Sequence, residues 1–460
     1  MPSLGTYIVS EQNKEKYGEV QTDIKLINMI LDTIPREKYR DPDNIWLDFA
    51  CGHGGFMVEL KRRLLVSLED AIPNLLTREK HIVEHMIHMV EVNKEHIPHL
   101  RTLFGEKANI HHADFLSFEP NITFDIIIGN PPFNINGNIK VPTNTTRNKK
   151  NDGKTIWTHF LRHSLHLLRD GGSLAVITPS LWMKPDKARI YDLLTSFRLE
   201  KIRCFTNTET NQIFHGHAQT PTCFFSLTKK PPKTTISLYD KCLRRYIPYL
   251  FSPTTPIPVF AASIFSKLQP YLAQGGHPHI IKTSMPSKRI VLSKTPTNDC
   301  SYCNVRTCII KKQKPSLVFE YSNKPLPFYN KPKLILAHKM YGFPYYDKEG
   351  EYGISRRDNY VLVDQSNEHF KIWGAFLSTK FAIYLFEGTR YRMKYLEKYV
   401  FELIPDITKL EGFPRANITD ETIADYFQLS DIERKAVQSL TASGKIALEK
   451  GNQNKVTKKT

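Results

Sequence analysis

Short apolar runs alternate with amphipathic stretches through the first half of the chain. Four of these runs predict strands: IWLDFA at 45–50, HMVEV at 88–92, FDIIIGN at 124–130 and SLAVITP at 173–179. Residues 156–172 carry apolar side chains at helical spacing, and we expect Gly171 and Gly172 to end that helix. Apolar strands that alternate with helices are typical of a parallel sheet covered on both faces, so the pattern predicts a doubly wound α/β domain.

The pattern changes at about residue 230. TKKPPKTT at 228–235 has the composition of a linker, and the segments after it are short, mixed and punctuated by proline. We therefore predict a first domain at 14–230 and a mixed α+β region at 231–440, followed by a flexible basic tail at 441–460. The polar, aperiodic stretch at 131–154 predicts a long surface loop.

Charge is distributed unevenly between the two halves. The net charge is +18; residues 1–230 hold 29 Lys and Arg against 26 Asp and Glu, and residues 231–460 hold 35 against 20. The halves therefore carry +3 and +15, which favours a first half that does chemistry and a second half that meets a polyanion. A basic surface that serves solubility alone is the alternative.

The apolar runs and the cysteines indicate the cellular compartment of the protein. No apolar run approaches the roughly 20 residues of a membrane span, and the N-terminus lacks the apolar core of a signal peptide. Seven dispersed cysteines favour reduced thiols, so we expect no membrane partner and a cytoplasmic protein, or one inside a host cell if a phage or virus encodes it. Cys300, Cys303 and Cys308 lack a fourth zinc ligand nearby, so no metal is expected.

A glycine-rich turn, CGHGG at 51–55, follows the first predicted strand and precedes a predicted helix at 56–65. Glycines let a backbone turn sharply and approach a ligand closely, and open α/β sheets bind ligands beyond the carboxyl ends of their strands. The candidates to contact a nucleotide-like cofactor are Asp48, Ala50, Gly52 and Gly54. A tight turn without a ligand is the alternative.

Two acidic residues follow later strand ends. Glu91 ends the second predicted strand and can accept hydrogen bonds from both hydroxyls of a ribose; a solvated strand end is the alternative. Asp114 follows another short strand and can accept from an adenine amino group, with Phe115 against the ring. A helix N-cap with a core phenylalanine is the alternative there.

The strongest pattern is the tetrapeptide Asn130, Pro131, Pro132 and Phe133 after the strand FDIII. Two prolines fix φ and remove two N–H donors. The Asn130 oxygen and the Pro131 carbonyl then offer two acceptors to a planar amino group, whose lone pair is otherwise conjugated into its ring. Phe133 supplies a stacking face for a base that must leave its duplex to react. A turn that carries this sequence by chance is the alternative.

In the same order, DFACGHGGF, VEVN, ADFL and NPPF resemble the motifs of the amino-methyltransferases that act on adenine in DNA. The order of domains resembles their gamma class, found in type II restriction-modification systems. GEVQTD at 18–23 resembles the N-terminal cofactor motif of this family and assigns Thr22 to the cofactor, although Gln21 replaces an aromatic residue and Asp23 a proline. The segment 211–230 resembles the one with a second aromatic residue opposite the flipped base, here Phe214.

The resemblance covers residues 16–230 and implies a Rossmann-like catalytic domain that binds S-adenosyl-L-methionine. It implies transfer of a methyl group to the N6 amino group of an adenine that is flipped from a specific site in double-stranded DNA and held between Phe133 and Phe214. Residues 331–350 and 373–405 loosely resemble the DNA-recognition domains of these enzymes. A monomer, with a cognate restriction endonuclease on a separate chain, is compatible with this reading.

Other functions fit parts of the same pattern. Similar tetrapeptides occur in enzymes that methylate adenine in RNA or the amide of a glutamine in protein, since both targets present a planar nitrogen. A DNA-binding relative that no longer catalyses would also keep the fold. The long basic second half argues against the compact glutamine enzymes, and the intact tetrapeptide argues against a silent relative.

Overall fold

The computed structural model describes residues 21–135, 155–216, 218, 220–311, 314–338, 342–357, 359–392 and 396–439. Most of the expected loop at 131–154, all of the expected tail and the first three residues of GEVQTD lie outside these residues. The chain divides into two compact units, Met1–Leu238 and Tyr239–Thr460. The predicted domain limits, 14–230 and 231–440, stay predictions.

One large sheet forms the centre of the first unit. Its strands are β1 (Trp46–Asp48), β2 (Ile87–Glu91), β3 (Asn109–His112), β4 (Phe124–Gly129), β5 (Leu168–Pro179), β6 (Arg198–Phe205), β7 (Thr222–Thr228) and β8 (Thr235–Asp240). Their order is β3-β2-β1-β4-β5-β7-β6-β8. The next strand along the chain, β9 (Arg245–Leu250), belongs to the second unit. The run from β3 to β5 is parallel, and β7 is antiparallel to both β5 and β6. The chain order reverses between β1 and β4, which is where such sheets bind their ligands.

Helices lie along the chain between these strands. They are α1 (Ile24–Leu31), α2 (Arg36–Arg40), α3 (Gly55–Ser67), α4 (Leu75–His81), α5 (Ile97–Phe104), α6 (Trp157–Leu167), α7 (Ile190–Thr195) and α8 (Asn207–Ile213). A π-helical turn (Ile82–Met86) precedes β2, and 3₁₀ turns occupy Lys94–His96, Phe115–Ser117 and Ser180–Met183. The alternation of strands and helices confirms the doubly wound α/β prediction.

The predicted helix at 156–172 is wrong at its C-terminal end. The helix ends at Leu167, and Leu168 is already extended and pairs with Phe124. Gly171, at φ +78°, and Gly172 lie inside β5. A Cβ at Gly172 would stand 2.9 Å from the carbonyl oxygen of Asp125, so this glycine permits a close approach of strands and does not cap a helix.

The second unit is mixed α+β, as predicted. Its strands after β9 are β10 (Ile280–Lys282), β11 (Leu292–Ser293), β12 (Tyr302–Lys311), β13 (Lys314–Ser322), β14 (Lys333–Ala337), β15 (Tyr345–Asp347), β16 (Gly353–Ile354) and β17 (Asn359–Leu362). They form two four-stranded sheets, β10-β17-β14-β15 and β11-β13-β12-β16. Its helices are α9 (Ala262–Gly275), α10 (Asn367–Phe376), α11 (Lys380–Gly388) and α12 (Asp420–Tyr426), with a 3₁₀ turn at Lys398–Glu402. Within the described ranges, no helix has the length and apolar character needed to cross a bilayer.

Candidate functional site

The loops after β1, β2 and β3 are tied to one another at the carboxyl edge of the sheet. The backbone N–H of Cys51 donates to the carbonyl of Val90 at 3.1 Å, and the N–H of Ala113 donates to the carbonyl of Glu91 at the same distance. The carboxylate of Glu91 also accepts the N–H of Gly52 at 2.8 Å. Glu91 therefore joins all three loops, and at 6% exposure it is not the solvated strand end that the sequence left open.

Neighbouring polar groups fix the orientation of Glu91. Its second oxygen accepts the N–H of Asn93 at 2.7 Å, and the Nδ1 of His96 lies 3.6 Å from the same oxygen. Nδ2 of Asn93 lies 3.1 Å from Nε2 of His96, which favours a donor on Nδ1 of the imidazole, facing Glu91. Sequence reasoning missed Asn93 and His96, although both lie in the run EVNKEH at 91–96, within five residues of Glu91.

The glycine-rich turn needs its glycines at two positions. Gly52 has φ +51° and Gly54 has φ +81°, both in the left-handed region that favours glycine. Gly54 precedes the first residue of α3, and a Cβ there would stand 2.9 Å from the side chain of Leu100. The imidazole of His53 contacts that of His96, with ring centroids 4.2 Å apart and ring planes tilted at 51°, and burial lowers the pKa of His53 to about 4. A neutral His53 fits a shaping role in this turn.

Asp48 is buried beside the turn with one oxygen unsatisfied. Its Oδ1 accepts the N–H of the half-buried Ala50 at 3.2 Å, while Oδ2 has no hydrogen-bond partner among the described residues. Burial raises the pKa of Asp48 to about 7, the negative charge of Glu91 adds to this, and the Ala50 N–H opposes it. A buried acceptor without a donor is costly, so its presence at a strand end fits a ligand that supplies the donor.

Asp114 and Phe115 take the arrangement named above as the alternative, an N-cap followed by a core phenylalanine. The exposed Asp114 caps the 3₁₀ turn that follows it, because its Oδ1 accepts the N–H of Leu116 at 3.0 Å. The ring of Phe115 is buried and lies 5.2 Å from Phe49 and 5.4 Å from Phe160, centroid to centroid. The contacts of Phe115 and Asp114 with a cofactor stay predictions.

The tetrapeptide follows β4 and lies against the end of β1. Gly129 has φ +151°, and a Cβ there would stand 2.9 Å from the ring of Phe49 and 3.1 Å from Oδ1 of Asp48. This close approach brings the Asn130 segment beside the cofactor candidates. Nδ2 of the half-buried Asn130 donates to Oγ1 of Thr22 at 3.1 Å. Pro131 is buried, whereas Pro132 is half-buried.

Phe133 and Phe214 come together, as the resemblance implies, but not as two parallel faces. Their ring centroids are 6.0 Å apart at an interplanar angle of 84°, an edge-to-face contact. Phe214 is 1% exposed and belongs to the core, whereas Phe133 is half-buried. A base stacked between two faces needs about twice the separation of one stacked pair, so in this state the two rings leave no room for it. The base-stacking role of both rings stays a prediction.

The residues at this edge fit S-adenosylmethionine. A cofactor with an amino group and ribose hydroxyls needs buried acceptors, and Asp48 and Glu91 provide them at adjacent strand ends. Gly52 leaves open space on the side where a Cβ would stand, so a ligand can approach the backbone there. Glu91 keeps a second lone pair on each oxygen beyond the N–H groups that it already accepts.

Part of this chain is similar to known proteins. Residues 55–214 match the family model described as Eco57I restriction-modification methylase. The chain is also 38% identical over 96 residues to the type II methyltransferase M.TthHB8I of Thermus thermophilus. The aligned stretch covers 18% of this chain and 22% of that protein. The chain thus spans less than a quarter of the length of this curated relative.

Two solved structures show a more distant likeness. The M protein of the type I restriction enzyme EcoKI is 18% identical with a TM-score of 0.36, over 54% of this chain and 53% of that one. A nuclease-deletion mutant of the type ISP restriction-modification enzyme LlaGI, in complex with a DNA substrate mimic, is 16% identical with a TM-score of 0.37, over 51% and 24%. The match of residues 55–214 confirms the resemblance to restriction-modification methyltransferases, whose methyl donor is S-adenosylmethionine.

Proposed function

We propose that the protein transfers a methyl group from S-adenosylmethionine to the N6 amino group of an adenine flipped out of a specific site in double-stranded DNA. One observation carries this proposal: the Asn130–Phe133 segment lies at the end of β4, in contact distance of the end of β1 through Gly129. The acceptors for an amino group and the acceptors for a cofactor therefore share the point where the strand order reverses.

The cofactor side of the site is assigned to the loops after β1, β2 and β3. The residues that would hold S-adenosylmethionine there are Asp48, Ala50, Gly52, Gly54, Glu91, Asp114 and Phe115. When bound, this cofactor supplies a methyl group activated by its attachment to a sulfonium. The chain itself contributes orientation, and no residue of the site is required to form a covalent bond.

The acceptor side is assigned to the tetrapeptide. Oδ1 of Asn130 and the carbonyl of Pro131 accept the two amino hydrogens, which favours a pyramidal nitrogen and stabilises the positive charge that it gains as it attacks. Pro131 and Pro132 keep these acceptors in place because their rings fix φ. Phe133 stacks on the base, with Phe214 on the other side. The methylated nitrogen then releases one proton to water.

The second unit is assigned to DNA recognition. Residues 231–460 carry a net charge of +15, and the segments on either side of β11 expose Lys288, Arg289 and Lys294. Such side chains neutralise phosphates, and this contribution gives affinity without sequence preference. The charge also favours a nucleic acid over a protein as the acceptor. It does not separate DNA from RNA.

The test compares acceptors directly. Unmethylated duplex DNA, structured RNA and a protein with accessible glutamines are each incubated with the protein and S-adenosylmethionine labelled in its methyl group. Label in duplex DNA alone is the expected result. Label in RNA or protein alone would contradict the proposal, and binding of cofactor and DNA without any transfer would favour a catalytically silent relative.

A further inference from the structure

The catalytic candidate Asn130 is held by a residue 108 positions earlier in the chain. Its Nδ2 donates to Oγ1 of Thr22 at 3.1 Å, and both side chains are half-buried. The resemblance assigns Thr22 to the cofactor. The contact that the structure shows joins its hydroxyl to the amide that would receive the target base.

The position of Thr22 is fixed by the helix that follows it. Asp23 caps α1, since its Oδ1 accepts the N–H of Lys25 at 2.7 Å. The inward face of α1 is buried, and Ile27 stands so close to α3 that a Cβ at Gly55 would lie 3.2 Å from it. The guanidinium of Arg63 on α3 also bonds Oδ1 of Asn28. Helix α1 is therefore anchored, and with it the hydroxyl that faces Asn130.

An amide side chain is useful to an amino group in only one of its two orientations. The amino hydrogens of a base need an acceptor, which is Oδ1, whereas a flipped amide would present its own N–H groups to them. A hydroxyl that accepts the Nδ2 hydrogen completes a chain of donors and acceptors that runs from base to amide to hydroxyl. Such chains strengthen each of their hydrogen bonds, so the acceptor on Asn130 improves as Thr22 accepts.

We propose that Thr22 is a positioning residue for methyl transfer, which acts by orienting the amide of Asn130 toward the target amino group. This inference rests on the proposed function. It differs from the role that the resemblance gives Thr22, because it places the effect of the hydroxyl on turnover and not on the affinity for the cofactor.

The experiment compares Thr22→Val, which keeps the shape but lacks the hydroxyl, with Thr22→Ser, which keeps the hydroxyl. Loss of one hydrogen bond predicts a fall in kcat of roughly three- to tenfold in Thr22→Val, and Thr22→Ser is expected to recover most of it. The KM for DNA and the dissociation constant for S-adenosylmethionine, measured by calorimetry without turnover, are expected to stay within about twofold. Thermal unfolding of both variants controls for loss of fold.

Each other outcome overturns the inference. An unchanged kcat in Thr22→Val would show that the hydroxyl does not act on the amide. A weaker affinity for the cofactor with kcat preserved, or no recovery in Thr22→Ser, would return Thr22 to a cofactor contact or to packing. The wild-type protein is assayed first: if it transfers no methyl group to DNA, the proposed function fails and the inference fails with it, whereas an active wild type confines the failure to Thr22.

Discussion

Two regions meet where the strand order reverses: the loops around Glu91 on one side, and the Asn130–Phe133 segment with Phe214 on the other. The first region is assembled, because Glu91 bonds the loops after β1 and β3 and is itself held by Asn93. The second is closed, because Phe133 and Phe214 contact each other edge to face. From this difference we infer that a cofactor would bind at loops that are already assembled, whereas a flipped base requires the two rings to move apart.

The largest expected effect comes from the acceptor side. Asn130→Ala removes one of the two acceptors for the amino group, and loss of one such preorganised group costs on the order of 10²–10³ in kcat. The affinity for S-adenosylmethionine is expected to change little, since Asp48 and Glu91 keep their hydrogen-bond partners and only Thr22 loses one. Single-turnover methyl transfer and calorimetry measure the two quantities.

Asn134→Ala is the matched control, because Asn134 is also half-buried and lies four positions later, outside the proposed site. Loss of cofactor binding in Asn130→Ala would contradict the division into two regions. A comparable loss of kcat in Asn134→Ala would point to a general effect on the segment.

Substitutions of the two rings are expected to differ in what they change: DNA binding for Phe133 and stability for Phe214. Phe133→Ala removes a half-buried stacking face and predicts a rise in the KM for DNA of roughly tenfold or more, since base stacking contributes about 1–3 kcal/mol. Phe214→Ala empties a fully buried site and predicts a loss of about 3–5 kcal/mol in the free energy of unfolding. Steady-state kinetics and denaturant unfolding measure the two effects, with the half-buried Phe197→Ala as control. If Phe214→Ala raised the KM for DNA as much as Phe133→Ala and left the free energy of unfolding unchanged, Phe214 would already be accessible to the base.

The cofactor side is tested at Glu91. Glu91→Gln replaces one of the two oxygens that accept the N–H groups of Gly52 and Asn93 with a donor, so the loops lose a charge-assisted bond. We expect the affinity for S-adenosylmethionine to fall about tenfold, while the affinity for DNA is retained. Calorimetry measures the first and a fluorescence titration the second. Glu95→Gln, exposed in the next turn, is the control, and equal losses in both variants would mean that charge alone is responsible.

At Asp48 we expect an effect on stability that depends on pH. Folding raises the pKa of Asp48 to about 7 from an ordinary value of about 4, so between these pH values the folded state binds a proton that the unfolded chain releases. The charge on Asp48 therefore costs stability as the pH rises from 4 to 7. We expect Asp48→Asn to have a higher Tm than the wild type above pH 7, with a difference that vanishes towards pH 4.

Thermal unfolding across this pH range checks the sign, and the exposed Asp43→Asn is the control. A lower Tm for Asp48→Asn at pH 8 would mean that the carboxylate stabilises the fold. In that case the buried carboxylate of Asp48 would not destabilise the fold, and its unpaired oxygen would no longer indicate a ligand site.

The sequence predicted β1, β2, β4 and β5 because each is a local apolar run, but it did not predict β6, β7 or β8. It did not predict that α6 ends at Leu167, since the close approach at Gly172 depends on Asp125, far away along the chain. The bond between Asn130 and Thr22 was hidden for the same reason. In the second unit, strands of two residues such as β16 pair with β12 about fifty residues earlier, and so short a run has no readable period.

The sequence predicted that the candidate site residues lie at neighbouring strand ends, but it did not predict the contacts among them. Asp48, Glu91 and Asn130 follow apolar strands, so their shared edge could be read from the chain. The partners that hold Glu91, and the closed state of Phe133 and Phe214, depend on side-chain packing that no local pattern records. Phe115 is the instructive case, since a core ring and a ligand-facing ring have the same sequence pattern.

The identity of the methylated nucleoside tests the central claim most directly. Duplex DNA is methylated with labelled S-adenosylmethionine, digested to nucleosides and analysed by mass spectrometry. The account predicts label in N6-methyladenine, and its absence after Asn130→Ala. Label in a methylated cytosine, or label in N6-methyladenine that survives Asn130→Ala, would contradict it.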